Sequence, residues 1–167
     1  VCLKQRSLEE KYGYPYTSPS FGSLCLATSI INLYILDEGL TEENVENFMN
    51  NAKGKFIEPD GAVISFEKMS RKLSELSGDE KYFDYVYYNP ETKTYSANKK
   101  AMSKEDFIRS DYDYGIGAYI HLDEDPNDEN VITAHYELIK RVPFTEYNPG
   151  ISDYKLYEIY PVKKYRK

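Results

Sequence analysis

The stretch that decides the fold is "FGSLCLATSIINLYILDEG", residues 21–39. Its apolar residues cover nearly the whole circumference of a helix, so we predict a helix that is buried on most sides. Ser23 is the predicted N-cap of this helix, and Gly39 is its predicted stop signal. Cys25 therefore lies at the head of a buried helix.

Working outward from this helix, the pattern first stays helical and then changes to strands. Two amphipathic helices follow, one opened by Thr41 with an acidic first turn and one over about 66–76 that stops at Gly78. From residue 82 the apolar residues alternate as in strands, and Ser103 opens one short helix among them. Strands are predicted at 82–88, 118–122, 130–142 and 154–162, with a short return strand after the first.

Helices first and strands afterwards predict an α+β fold. We expect one domain over residues 1–167, with a helical half at about 1–80 packed on an antiparallel sheet half at about 81–167. A chain of this length can bury a core without disulfide bonds or metal ions. Because the chain begins at Val1 rather than at methionine, we expect a processed or excised piece of a longer protein.

Composition and charge argue against several classes of protein. Hydrophobic residues make up 41% of the chain, but no apolar run approaches the ~20 residues of a membrane span, which predicts a soluble protein. The net charge of −7 argues against a nucleic-acid binder.

No cysteine and histidine cluster fits zinc and no glycine-rich loop fits a phosphate, so no metal or other cofactor is predicted. The acidic stretch 123–130 alternates oxygen side chains like a calcium loop but lacks its glycine, and we predict an exposed hairpin loop.

The chemistry that the sequence offers rests on Cys25 and a histidine. A helix N-terminus and a nearby imidazolium both lower the pKa of a thiol, and the thiolate is the reactive form. Of the two histidines in the chain, His135 lies near the beginning of a predicted strand and is better placed than His121, near the end of the preceding strand. Two interpretations stay open at this point. Cys25 is a nucleophile with His135 as its partner, or it is an inert packing residue.

Four short segments carry a resemblance to a known family. They are "LKQ" at 3–5, "CLATS" at 25–29, "GIGAYIHL" at 115–122 and "AHYELI" at 134–139. In this order they resemble motifs of the papain-like cysteine peptidases of bacteria and phages that are related to the bacteriocin leader peptidases, peptidase family thirty-nine. The resemblance implies a papain-like fold, with the buried helix packed on the antiparallel sheet.

The resemblance also implies roles for single residues. Cys25 would be the nucleophile, His135 the general base that later protonates the leaving group, and Gln5 an oxyanion-hole donor beside the backbone N–H of Cys25. The sequence departs from the family at Leu24, where the family has a glycine, and at Tyr160, where it has an aspartate before proline. The residue that orients His135 therefore stays open. Asn148 is preferred because papain-like enzymes can use asparagine, and the alternatives are Asp153, Glu158 and Tyr160.

The implied function is hydrolysis of a peptide or isopeptide bond through a thioester on Cys25. The substrate would be a peptide or protein, with a cell-wall peptide among the candidates. The alternative is a weak or inactive member of the fold that binds a peptide or glycan in a groove rich in tyrosine, of which the chain has 18. A third interpretation is an α+β domain whose likeness to peptidases is accidental. Neither the oligomeric state nor the cellular location follows from the sequence, although a secreted or cell-surface location is favoured.

Overall fold

The computed structural model describes residues 3–11, 24–52, 55–57, 66–77, 86–89, 91, 94–97, 101–147 and 153–164. The chain divides into an N-terminal unit over Val1–Asn98 and a C-terminal unit over Lys99–Lys167. Helices and a four-stranded antiparallel sheet are both present, which confirms the α+β prediction. The expectation of one domain over the whole chain stays a prediction. Within the described ranges, no helix is both long enough and apolar enough to cross a membrane.

The N-terminal unit consists of helices and one hairpin. Its elements are α1 (Gln5–Lys11), α2 (Cys25–Glu38), α3 (Glu42–Ala52), α4 (Phe66–Ser77), β1 (Val86–Asn89) and β2 (Thr94–Ala97). The two strands pair in antiparallel register, with Val86 opposite Ala97. The helices after Gly39 and the short return strand are therefore present where the sequence predicts them, while residues 82–85 of the first predicted strand lie outside the described residues.

The helix α2 is buried on nearly all sides. Every residue from Leu26 to Tyr34 is buried, as the all-round apolar pattern predicts. Gly39 ends the helix in the left-handed conformation, with a φ of 72°, and its N–H donates to the carbonyl of Tyr34, which confirms the stop signal. The N-cap is Leu24 rather than the predicted Ser23, which lies outside the described residues. A leucine has no side-chain oxygen, so the first turn of α2 has no side-chain cap from this position.

The helices α3 and α4 each bury one face. The buried apolar side chains described are Val45, Phe48, Met49 and Ala52 of α3 and Met69 and Leu73 of α4. Thr41 opens α3 as predicted, because its Oγ1 accepts the N–H of Asn44 at 3.3 Å. Between α2 and α4, the hydroxyl groups of Tyr34 and Ser74 share a buried hydrogen bond of 2.9 Å. This bond satisfies two polar atoms inside an otherwise apolar contact.

The C-terminal unit consists of one short helix and the sheet. Its elements are α5 (Lys104–Arg109), β3 (Tyr112–His121), β4 (His135–Lys140), β5 (Thr145–Glu146) and β6 (Tyr154–Lys164). The strand order is β5-β4-β3-β6, and all neighbours are antiparallel. Ser103 caps α5 as predicted, since its Oγ accepts the N–H of Asp106 at 3.1 Å. The core of the unit contains Phe107, Tyr119, Ile139 and Ile159.

The strand β3 begins at Tyr112, earlier than the sequence predicts, and it includes two buried glycines. Glycine usually weakens a strand, and the sequence predicts this strand only from residue 118. Here the glycines are required by packing, because neighbouring side chains occupy the space of their missing Cβ atoms. A Cβ on Gly115 would collide with Ile159, and a Cβ on Gly117 would lie 2.5 Å from Ile139 Cδ1.

The strand β4 is shorter than the strand predicted at 130–142. The N–H of Asn130 donates to Asp128 Oδ1 at 2.9 Å, which holds this part of the chain in a turn. Pairing with β3 begins only at His135, which lies opposite Tyr119. The strand therefore has His135 as its first residue.

We expect Gly117→Ala to destabilise the protein. The added methyl group would lie 2.5 Å from Ile139 Cδ1, 2.9 Å from Tyr119 Cε2 and 3.1 Å from Leu156 Cδ1, so side chains on three strands must shift. Overpacking of this kind lowers the free energy of unfolding by about 1–3 kcal/mol. Urea unfolding followed by circular dichroism measures the change, and Glu129→Ala in the exposed loop is the control, with an expected change within about 0.5 kcal/mol. A Gly117→Ala chain as stable as the parent would contradict this packing.

Candidate functional site

Cys25 is the first residue of α2, and its side chain is partly buried. The N–H groups in the first turn of a helix have no partner within the helix, and they give that end a partial positive charge. The residue before it, Leu24, has no polar side chain that could occupy these N–H groups. The structure thus places Cys25 at the helix head, as the sequence predicts.

Polar side chains run along one face of α2 from Cys25. This polar stripe consists of Cys25, Thr28, Ser29 and Asn32, whose spacing puts them on neighbouring turns of the same face. Ser29 Oγ donates to the carbonyl of Cys25 at 2.7 Å. The N–H of Leu3 donates to Asn32 Oδ1 at 2.8 Å, and Asn32 Nδ2 donates to the carbonyl of Leu3 at 3.0 Å. The N-terminal segment is therefore fixed to the face of α2 that carries Cys25.

Gln5, the predicted oxyanion-hole donor, follows this anchor closely in the sequence. It is the first residue of α1, two positions after Leu3. The anchor on Asn32 lies two turns into α2, which is ~10 Å from Cys25 along the helix axis. The side chain of Gln5 lies outside the described residues, so the role of its amide stays a prediction.

His135 lies in a buried environment formed by three strands. Its side chain is 7% exposed, and Tyr119 of β3 is its register partner. The ring of His135 stacks on Tyr154 of β6, with centroids 5.9 Å apart and 15° between the planes. His121, the last residue of β3, contacts the same tyrosine with centroids 4.9 Å apart. The two histidines therefore lie at the predicted strand ends.

A carboxylate lies beside His135, and the sequence analysis did not anticipate it. Glu137 is 4% exposed, and its Oε2 lies 3.6 Å from His135 Nε2. Its other oxygen, Oε1, accepts a hydrogen bond of 2.9 Å from the hydroxyl of Tyr119. The 3.6 Å separation is a charge contact rather than a hydrogen bond. We call Tyr119, Glu137 and His135 the Glu137 cluster.

The geometry of the Glu137 cluster depends on Gly117. This glycine is the register partner of Glu137 on β3. A Cβ at Gly117 would lie 2.9 Å from Tyr119 Cε2, so the tyrosine ring passes over the position where a side chain would be. The absence of a side chain therefore lets the hydroxyl of Tyr119 reach the carboxylate on the neighbouring strand.

Burial raises the pKa of Tyr119 well above its usual value, and the charge of Glu137 raises it further. A smaller contribution in the same direction comes from Glu146 of β5. The phenol therefore keeps its proton over the range in which proteins are usually studied, and it acts as a hydrogen-bond donor. On the opposite face, burial and then Glu158 likewise raise the pKa of Tyr160.

The four residues predicted to orient His135 have different positions. Asn148 lies outside the described residues, and Asp153 is exposed. Glu158 is paired in register with Ala118, whereas His135 is paired with Tyr119, and adjacent strand residues point to opposite faces. The fourth residue, Tyr160, shares the face of Glu158 and donates to its Oε1 at 2.5 Å. Glu158 and Tyr160 are therefore paired with each other and lie on the other face of the sheet from His135.

Glu137 could have been found from a local signal. In the segment "HYE", residues 135–137, the first and third side chains share one face of a strand because strand side chains alternate with a period of two. The family resemblance instead indicates a later strand for the residue that orients His135. The histidine and its carboxylate are in fact on the same strand.

The acidic stretch between β3 and β4 is an exposed loop, as predicted. Asp125 Oδ1 accepts the N–H of Asn127, and Asp128 Oδ1 accepts the N–H of Asn130, each at 2.9 Å. These side-chain oxygens therefore stabilise turns in the loop backbone. Within the part of the chain that the structure describes, no three His, Cys, Asp or Glu side chains are grouped in a way that could hold a metal ion.

No protein-family model, no curated protein and no solved structure matches this chain. The resemblance to peptidase family thirty-nine therefore stays a prediction from the sequence. Cys25 lies in the N-terminal unit and the Glu137 cluster in the C-terminal unit.

We expect Tyr119→Phe to change how stability depends on alkaline pH. Because the pKa of Tyr119 is raised on folding, the folded chain keeps a proton that the unfolded chain loses above pH ~10. The corresponding stability is present below that pH and falls as the pH rises further. The free energy of unfolding of the parent should therefore fall more steeply above pH 10 than that of Tyr119→Phe, by about 1.4 kcal/mol per pH unit.

Urea unfolding at a series of pH values between 8 and about 11 measures the two slopes. At neutral pH we expect Tyr119→Phe to cost about 1–3 kcal/mol, since the buried Oε1 of Glu137 loses its donor. Tyr157→Phe on β6 controls for the loss of a tyrosine hydroxyl from the same sheet. Equal slopes in the parent and in Tyr119→Phe would show that the buried pair does not form.

Proposed function

We propose that this chain is a cysteine hydrolase of papain-like fold that cleaves a peptide or isopeptide bond. The observation that carries the proposal is the buried imidazole of His135 with the carboxylate of Glu137 3.6 Å from its Nε2. A neutral histidine that is oriented by a buried carboxylate, which also stabilises the imidazolium that forms, is a common general base in acyl transfer. The chain supplies the matching nucleophile in Cys25, at the positive end of a helix.

In the proposed reaction His135 takes the proton of the Cys25 thiol, and the thiolate attacks the carbonyl carbon of the scissile bond. The oxygen of the tetrahedral intermediate requires fixed N–H donors, for which the backbone N–H of Cys25 and the amide of Gln5 are proposed. The C–N bond then breaks, and the leaving amine takes the proton from His135. Water attacks the thioester while His135 takes its proton, and breaking the C–S bond restores the thiol.

The polar stripe on α2 supports the part of this proposal that concerns the N-terminal unit. Asn32 ties the backbone of Leu3 to the helix face that carries Cys25. Gln5 follows in α1 only two positions later. The stripe thus gives a physical reason for a glutamine far from Cys25 in the sequence to be associated with the same helix face.

The second candidate function is a weak or inactive member of the same fold that binds a peptide or a glycan. Two departures from the family favour it. Leu24 occupies the place of the family's glycine before the nucleophile, and Tyr160 replaces the family's aspartate. The hydroxyl of Tyr160 donates to Glu158, so this tyrosine does not take over the role of the missing aspartate.

Alkylation of Cys25 tests the proposal. In a Cys2→Ser chain Cys25 is the one remaining thiol, and mass spectrometry gives its rate of reaction with iodoacetamide from pH 5 to about 9. A thiol with the usual pKa near 8.5 is only about 0.3% thiolate at pH 6. If His135 forms an ion pair with the thiolate, the rate at pH 6 should fall about tenfold or more in His135→Gln.

His121→Gln is the matched control, because His121 also contacts Tyr154 but has no proposed role. The proposal requires that this variant alkylates like the parent. A parent rate that rises only near pH 8.5 and is the same in His135→Gln would refute the hydrolase proposal. That result would favour the binding protein, and screening of peptides and glycans against the parent chain would follow.

A further inference from the structure

We infer that Glu137 is the residue that positions His135, and that Tyr119 holds Glu137 for this task. The inference rests on the proposed function for its catalytic consequence and on the geometry of the sheet for the pairing itself. It assigns the orienting role to a residue on the same strand as the histidine, in place of Asn148, Asp153, Glu158 and Tyr160.

The burial of Glu137 requires partners for both of its oxygens. An ionised carboxylate is costly to bury unless it is hydrogen-bonded and paired with a cation. Its Oε1 receives the hydroxyl of Tyr119 at 2.9 Å, and its Oε2 faces His135 Nε2 at 3.6 Å. The imidazole is thus the group that faces the second oxygen, and in its protonated form it is the cationic partner of the carboxylate.

The contact also determines which nitrogen of His135 takes part in proton transfer. Because the negative charge of the carboxylate lies beside Nε2, the inferred arrangement keeps the proton of the neutral ring on that nitrogen. The lone pair is then on Nδ1, which is the nitrogen that would exchange a proton with the thiol and with the leaving group. Glu137 thereby selects the tautomer that a general base needs and stabilises the imidazolium that forms.

The neighbours of His135 restrict the motion of its ring. Tyr154 of β6 stacks on it, and Tyr119 of β3 lies at a centroid distance of 6.0 Å. The titratable groups described around His135 include Glu137 on its own strand, the phenols of Tyr119 and Tyr154, His121 beyond Tyr154, and Glu146 beside Tyr119. Of the carboxylates in this set, Glu137 is the one in contact with the imidazole.

The opposite face of the sheet carries a similar pair that serves as an internal control. Tyr160 donates to Glu158 at 2.5 Å, as Tyr119 donates to Glu137. Glu158 shares its register position with Ala118, so its side chain is on the face away from His135. Matching substitutions in the Tyr119–Glu137 and Tyr160–Glu158 pairs therefore remove the same chemical groups from the same sheet. Of these two pairs, Tyr119–Glu137 is the one beside His135.

The first test is a titration of His135 by NMR. A Cys2→Ser, His121→Gln chain has one histidine, whose ring ¹⁵N shifts report its tautomer and its titration midpoint. Loss of an adjacent negative charge should lower the midpoint by about one pH unit in Glu137→Gln. Glu137→Asp should restore part of the shift, and Glu158→Gln should leave the midpoint unchanged. An unchanged midpoint and tautomer in Glu137→Gln would overturn the inference.

The second test measures alkylation of Cys25 at pH 6 in the same variants without the His121 substitution. We expect about a tenfold loss of rate in Glu137→Gln and the parent rate in Glu158→Gln. If alkylation depends on His135 while Glu137→Gln behaves like the parent in both tests, the positioning role is wrong and the hydrolase proposal stands. If the midpoint shifts but alkylation is independent of His135, the pairing is right and the hydrolase proposal fails.

Tyr119→Phe provides a second variant should Glu137→Gln fail to fold, which circular dichroism would show. It keeps the carboxylate and removes the donor that holds Oε1. With Oε1 released, we expect a larger share of the neutral ring to carry its proton on Nδ1. Tyr160→Phe is its control, and the same tautomer ratio in Tyr119→Phe and in the parent would overturn the role assigned to Tyr119.

Discussion

The carboxylate of Glu137 is buried within the sheet, and the cost of burying a charge determines what must surround it. The hydroxyl of Tyr119 and the imidazole of His135 each meet one of its oxygens. Gly117 has no side chain because the ring of Tyr119 passes over it to reach the next strand. The pKa of Tyr119 is raised by its burial and by Glu137, so the phenol stays a donor. One buried charge thus relates to three neighbouring residues on β3 and β4, which are Tyr119, His135 and Gly117.

The same physical argument applies to the helix that carries Cys25. The helix α2 is buried on nearly all sides, and polar side chains in such a helix are usually hydrogen-bonded within the protein, although the buried Oγ1 of Thr28 has no such partner among the described residues. Ser29 bonds to the backbone of its own helix, Asn32 bonds to the backbone of Leu3, and Tyr34 bonds to Ser74. The bonds of Ser29 and Asn32 lie within the polar stripe, and that of Asn32 places the N-terminal segment on it. Cys25 lies at the end of the stripe, next to the N–H groups that begin the helix.

The described part of the sheet contains two tyrosine and glutamate pairs, and the two pairs lie on opposite faces of it. The family pattern directs attention to the last strand, where Glu158 and Tyr160 lie. These two residues face away from His135 because their register partners on β3 are Ala118 and Ile116. The carboxylate beside the histidine comes from the histidine's own strand. Chemical type and position in the chain are therefore not enough to identify the carboxylate that contacts His135. The face of the sheet on which each glutamate lies decides which one does so.

The sequence by itself determined the α+β class, the helices α2 to α5, the glycine stop of α2, and the placement of Cys25 at a helix head. These features follow from local spacing, caps and turn residues, which a single chain displays directly. The sequence did not predict α1, and it placed His135 near the beginning of a strand that starts later than predicted. The start of β3 at Tyr112 and the pairing of Glu137 with Tyr119 and His135 were decided only by the tertiary structure. In the local sequence, Gly115 and Gly117 argue against a strand. They are needed because the side chains of Ile159, Ile139 and Tyr119 occupy the space that a Cβ at these positions would fill. The physical reason is that register and face depend on which strands become neighbours, and this is settled by contacts between residues far apart in the chain.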